Sequence, residues 1–250
     1  MILVLTYHKV LRAAEEHAEF YSVQATQLEN HINLLRENTF SILSPADLLD
    51  YHEQSGPVCV LSFDDATVDH FELVKPMLER KNCRGLFFVP TSKLDRPGRL
   101  NSEHVCQLNK AGHTIGSHSH EHIRLDRLPE EDIRVQLELA QQKIGALLGK
   151  PPLFMAPPGG FFTPLIRRVA MERGLRVIRT MRWGQNRHPD FTALECIPVN
   201  RFLTESDFRH ILKGRNMPLA YRAKQVVKRV VPGRTYETMR AFVFGLLGRN

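Results

Sequence analysis

The chain has 250 residues, 42% of them hydrophobic and 24% charged, the balance of a globular protein with room for one large domain. No stretch approaches the roughly 18 apolar residues of a membrane span. The four cysteines, Cys59, Cys83, Cys106 and Cys196, stand too far apart to form a CxxC metal or redox pair, and they read as reduced, mostly buried thiols. The formal charge of +7 would suit a nucleic-acid partner if it were spread over the fold. It is not, because residues 213–250 hold nine Lys or Arg against one acid, Glu237, leaving 25 basic and 26 acidic side chains upstream. No nucleic-acid partner is therefore expected.

Along the chain, short β-type runs alternate with longer segments of helical period, the pattern of βα units wound about parallel strands. The opening run is apolar but short, Tyr7 and His8 interrupt it, and no basic region or small-residue cleavage site flanks it. It reads as a first strand over 2–8, and the protein is expected in the cytoplasm. Further strands are predicted at 58–63, 85–90, 113–118, 153–157, 176–181 and 194–199, with helices at 24–37, 67–81, 101–111, 129–149 and 163–174. Asn101-Ser102 ahead of Glu103, and Thr163-Pro164, supply helix start signals. Helix 129–149 is the best defined, with Ile133, Leu137, Ala140, Ile144 and Leu148 recurring every three or four residues. About seven such units predict an α/β fold, a closed or nearly closed barrel ahead of an open sheet. In both architectures functional groups gather at the carboxyl ends of strands. The expected organisation is a catalytic domain over 1–212 and a basic helical extension over 213–250.

Polar residues at those strand ends carry the chemistry. Val58-Cys59-Val60-Leu61-Ser62-Phe63 is a buried strand by composition and ends in Asp64-Asp65. Successive side chains on extended backbone diverge, so one carboxylate can bind a cation while the other addresses a water or substrate. Alone, the pair also fits a solvated turn. The strand at 113–118 runs into Ser117-His118-Ser119-His120-Glu121-His122, three histidines in five residues. His118 and His122, four apart, can converge on one ion, whereas His120 points elsewhere. Two imidazoles and a carboxylate form the open three-ligand site of a hydrolytic divalent metal, Zn²⁺ above all. The remaining carboxylate would act as base toward a metal-bound water.

Ser62-Phe63-Asp64-Asp65 followed about 50 residues later by His118-Ser119-x-x-His122 resembles the first two motifs of the NodB-type polysaccharide deacetylases, carbohydrate esterase family 4. Leu5-Thr6-Tyr7-His8-Lys9-Val10 is similar to the first strand of many members. The resemblance implies a distorted (β/α) barrel of about seven strands and removal of an N-acetyl group from an amino-sugar. It assigns Asp64 as general base and Asp65, His118 and His122 as metal ligands. Phe154-Met155-Ala156-Pro157-Pro158-Gly159-Gly160 occupies the place of the third motif, commonly Arg-x-Pro-aromatic-Gly, with Ala156 where the arginine that steadies the base would stand. That contact is therefore absent or comes from another residue. Pro157, Pro158 and Gly159 are expected along the substrate groove with His8 and Trp183; the tryptophan read by itself is a pocket wall or a core residue. No Leu-x-His follows residue 180, so the family's usual proton donor is missing. His188, His210 and, at the end of strand one, His8 are the candidates left.

Residues 217–231 and 235–247 read as basic amphipathic helices broken at Pro232-Gly233. They fit packing on the barrel or peripheral contact with an anionic membrane surface, which would suit a lipid-linked sugar. Two other functions stay open: deformylation or another small-amide hydrolysis, and a carbohydrate-binding relative without catalysis.

Overall fold

Every residue of Ile2–Tyr7 and Val58–Phe63 is buried, as parallel strands covered on both faces require. The computed structural model describes residues 1–13, 19–52 and 56–214. Its elements are β1 (Ile2–Tyr7), β2 (Val10–Leu11), β3 (Val23–Gln24), α1 (Ala25–Glu37), β4 (Ser41–Ile42), β5 (Val58–Phe63), α2 (Lys75–Arg80), β6 (Gly85–Val89), α3 (Ser102–Lys110), β7 (Thr114–Ser117), α4 (Glu130–Leu148), β8 (Phe154–Met155), α5 (Pro164–Glu172), β9 (Val177–Trp183), β10 (Leu194–Pro198) and α6 (Glu205–Leu212). The two amphipathic segments expected at 217–231 and 235–247, with nearly all of the extension 213–250, lie outside the described residues. No helix among the described residues is long and apolar enough to cross a membrane.

Seven strands close a parallel barrel in the order β1-β10-β9-β8-β7-β6-β5 and back to β1. The closing ladder runs from Ile2↔Val58 to Tyr7↔Phe63. β4 pairs with β5 at Val58 and Cys59, and β6 takes over the same edge from Leu61 onward. β2 and β3 form a separate two-stranded ribbon.

The two-residue alternation of each strand divides the core. Ile2, Val4, Val58, Val60, Leu86, Phe88, Phe154, Val177 and Cys196 fill the barrel. The intervening Leu3, Leu5, Cys59, Leu61 and Ile197 pack outward with Leu28 and Ile32 of α1, Leu78 of α2 and Phe208 of α6. Met155 and Ile178 pack outward with residues of α4 and α5. One interior position has no room for a side chain: a Cβ on Gly116 of β7 would lie 2.6 Å from Phe88 Cδ1. Gly116→Ala is accordingly expected to destabilise the fold by about 1–3 kcal/mol through overpacking, read from the denaturant midpoint. An unchanged midpoint would mean that Phe88 can move aside.

The segment expected as one helix over 67–81 opens instead with a π-helical turn, His70–Val74, before α2. Pro76 lacks the N–H that would bond to Glu72, so the regular ladder cannot run through this point. α6 was not expected from periodicity, yet Thr204 and Asp207 form a capping box at its start and Phe208, Ile211 and Leu212 are buried.

Candidate active site

The carboxyl end of β5 continues for one residue. The Asp64 N–H donates to the Tyr7 carbonyl at 2.9 Å, extending the β1–β5 ladder and aiming the side chain toward the barrel axis with Ser62, where it is 2% exposed. The next residue breaks away: Asp65 has φ 78° and Ala66 φ 51°, left-handed values that cost non-glycine residues on the order of 1 kcal/mol or more. Surrounding bonds hold that conformation. Arg99 Nη1 donates to the Asp65 carbonyl at 2.8 Å, and the Leu100 N–H to the Ala66 carbonyl at 2.8 Å. Asp65 is thereby turned away from Asp64 and toward β7.

The loop after β7 is held just as tightly. Ser119 and His122 take φ values of 61° and 62°, and the His122 N–H donates to Ser119 Oγ at 3.2 Å. Thr91 and Ser92 donate backbone N–H groups to the Ser119 and His120 carbonyls. Gln136 of α4 pairs with Glu121 twice, accepting from its N–H and donating to its carboxylate. His120, expected to point elsewhere, shares a 2.8 Å hydrogen bond between its Nδ1 and Thr91 Oγ1.

Asp65, His118 and His122 converge, with one ligand atom from each inside a 4.8 Å span. Asp65 Oδ1 lies 3.4 Å from His118 Nε2, the roughly 3.4 Å expected between donors sharing a tetrahedral ion at about 2.1 Å, and 2.8 Å from His122 Nε2, a hydrogen-bond distance that would widen around an ion. His118 Nδ1 donates to the Ala156 carbonyl at 2.7 Å, the second contact that fixes a metal-binding imidazole and leaves its Nε2 for the ion. The donor chemistry therefore fits a divalent cation of the zinc class. Burial alone would lower the His118 pKa, but its hydrogen bond to Asp65 and the charges of Asp64 and Asp65 raise it above 6.5. Burial would raise Asp65, and the hydrogen bonds from His118 and His122 hold it well below the usual carboxylate range. Protons and cations thus compete for one place. Zn²⁺ loading is expected to release protons, with apparent affinity rising as pH rises through and above the ordinary imidazole range. Loading without proton release in a pH-stat would contradict His118 as a ligand.

Asp64 stands outside this cluster and has its own partner. Arg179 of β9, 1% exposed, donates from Nη2 to both Asp64 oxygens at 2.5 Å. Its guanidinium lies 5.0 Å from the Phe88 ring centroid. Burial would raise the Asp64 pKa; the charge of Arg179, then those of His118 and His8, outweigh it and leave the pKa below the ordinary 3.8. β8 and β9 pair at Phe154↔Val177 and Met155↔Ile178, so one further step of the register sets Ala156 beside Arg179. The guanidinium missing at position 156 is supplied from the adjacent strand at the same level. The sequence signal was available: Arg179 shares its parity with Val177, in an apolar run where a charge facing inward requires a partner.

His8, beyond the end of β1, brings Nε2 to 3.9 Å from Asp64 Oδ2 and stacks on Tyr21 with centroids 4.6 Å apart. The buried ring of His70 bonds through Nε2 to the His8 carbonyl at 2.6 Å, and Asp69 accepts the Val10 N–H at 2.7 Å. Burial chiefly lowers the His8 pKa, against the raising effect of Asp64. Among the other expected residues, Pro157 and Pro158 are buried just after β8, and Gly159 is exposed at φ 65°. Trp183 ends β9 half-buried and packs against the outer core layer. His188 and His210 are exposed.

A closed parallel barrel carrying a carboxylate and two imidazoles at its strand ends, with a separate buried carboxylate beside them, defines an α/β barrel protein with a candidate cation site at the mouth of the barrel. The family model for polysaccharide deacetylase matches residues 52–178, and the chain belongs to that family. The Streptococcus pyogenes deacetylase PplD, solved with acetate, superposes with a TM-score of 0.76 at 16% identity, covering 86% of this chain and 98% of that one. IcaB from Ammonifex degensii gives 0.75 at 21%, covering 85% and 95%. These two show the shared fold. Chitin deacetylase 1 of Cryptococcus neoformans is 33% identical over 116 residues, 46% of this chain and 24% of that protein. The chain spans about a quarter to a third of the first curated relatives it matches.

Proposed function

We propose that the protein is a metal-dependent hydrolase that removes the N-acetyl group from an amino-sugar unit of a glycan or glycan precursor, in cell-surface polysaccharide assembly. The observation that carries this reading is the separation of the two carboxylates: Asp65 joins His118 and His122, while Asp64 is kept apart, buried and ionised by Arg179. A site that only bound sugar would have no need of a buried, charge-held carboxylate beside a metal-ligand set, since burying such a pair is costly.

A cation held by Asp65, His118 and His122, Zn²⁺ being the ion this donor set suits, would supply a bound water of lowered pKa and polarise the acetyl carbonyl. The protein's own groups do the rest. Asp64, fixed by one arginine nitrogen, accepts the proton of the attacking water. His8, 3.9 Å away and neutral through burial, is placed to pass that proton to the leaving nitrogen as the carbon–nitrogen bond breaks. The products are acetate and a free amine.

Against a non-catalytic carbohydrate-binding relative, Arg179 supplies Asp64 with the guanidinium that Ala156 cannot. The place of action proposed from the sequence is the cytoplasm, with residues 217–247 against the barrel or the inner membrane face. Incubating the metal-loaded chain with N-acetyl- and N-formyl-glucosamine oligomers and assaying both acids tests the reaction. Acetate with matching free amine is expected; formate alone would move the assignment to a deformylase.

A further inference from the structure

A row of aromatic rings leads out of the catalytic centre on the side of β1 and β10. It begins at His8, 3.9 Å from Asp64, whose ring lies nearly parallel to that of Tyr21 at 4.6 Å. Phe20 meets Tyr21 edge-on at 4.8 Å, and Phe202 lies 5.8 Å beyond Phe20. Phe202 is 52% exposed, the most exposed large hydrophobic side chain among the described residues. Such a ring set out in water is a feature to be explained.

Residues 19–21 and 199–202, which bear the outer rings, are tied to the mouth of the barrel by backbone bonds. β1 and β10 are neighbours, and both segments follow their carboxyl ends. The Val199 N–H donates to the Thr6 carbonyl, and the Arg201 N–H to the Phe20 carbonyl. The Phe202 N–H donates to Asn200 Oδ1 at 2.9 Å, and the Arg201 guanidinium lies 5.3 Å from the Phe202 ring centroid. The ring is therefore presented by an anchored backbone, and it is continuous with the catalytic centre through three successive ring contacts.

We propose that Phe202 is a sugar-binding subsite that takes a pyranose unit of the same glycan, further along the chain from the unit deacetylated at Asp64. One face of a pyranose presents axial C–H groups, an apolar and weakly positive patch that matches the negative face of an aromatic ring. The substrate would then be an oligosaccharide or longer chain, with affinity drawn from a unit that does not react, the usual use of binding energy remote from the reacting bond. The proposal rests on the amino-sugar reading of the site.

Phe202→Ala and Phe202→Tyr in the full, Zn²⁺-loaded chain provide the test, because an exposed ring can be removed with little effect on folding. For a β-1,4 N-acetylglucosamine tetramer, the alanine variant is expected to raise KM about tenfold with kcat nearly unchanged. The tyrosine variant should restore KM, and kcat/KM for the monosaccharide should not move. Equal loss on monosaccharide and tetramer, or no loss on either, would overturn the subsite. Calorimetric binding of the tetramer separates this from the reaction itself: a wild-type affinity weakened about tenfold in Phe202→Ala supports the subsite even if no acetate is released. Unchanged tetramer binding with weakened retention on anionic vesicles would assign the ring to a membrane surface and overturn the proposal.

Discussion

Arg179→Met is expected to lower kcat/KM at neutral pH by at least about a hundredfold and to destabilise the fold by about 3–5 kcal/mol. Removing one partner of a buried ion pair leaves the other charge uncompensated, and both side chains here are almost fully buried. The loss should carry a pH signature. Burial already pushes the Asp64 pKa up, and Arg179 is the largest influence opposing it. Without the guanidinium the carboxyl titrates at higher pH, so the acid limb of the rate profile moves upward. In the wild type the folded pKa lies below the unfolded value, so the pair's contribution is present at neutral pH. It is lost as pH falls through that depressed value. Adding Ala156→Arg to Arg179→Ala should recover part of both activity and stability, because it returns the guanidinium to the neighbouring strand at the same level. Full activity in Arg179→Met, with an unmoved acid limb, would show that Asp64 needs no partner.

Asp64→Asn and His118→Ala should fail in different ways. The amide replaces a base outside the ligand cluster, so the variant should retain its metal while turnover falls at least about a thousandfold. His118→Ala removes an imidazole whose Nδ1 is already committed to the Ala156 carbonyl, and metal affinity should drop by at least about a hundredfold together with activity. Elemental analysis beside acetate release distinguishes the two. An Asp64→Asn protein with undiminished turnover would remove Asp64 from the reaction, and metal loss in that variant would place it among the ligands.

Much of the fold was legible because parallel strands buried on both faces must be continuous apolar runs, and Val58–Phe63 and Gly85–Val89 could be read directly. Whether the barrel closed could not be, since closure depends on the pairing of β1 with β5, which connects residues more than fifty apart. The metal cluster was legible because Asp65, His118 and His122 belong to two short motifs. Its geometry was not, because it depends on left-handed backbone at Asp65 and His122 held by Arg99, Ser119 and Gln136. Arg179 was missed because a motif search looks for arginine at position 156, whereas a barrel interior can take the same group from an adjacent strand. β2, β3 and β4 have two residues each, too few for any period to register. The capping box of Thr204 and Asp207 is a legible helix start, though α6 is too short for its period to stand out.

The most direct test follows acetate release from an N-acetylglucosamine oligomer while the bound metal is stripped and restored. Release matched by free amine, abolished on chelation, and recovered in proportion to Zn²⁺ re-bound at about one ion per chain, is the expected result. Acetate release that persists undiminished in metal-free protein, or none at full metal occupancy, would contradict the account.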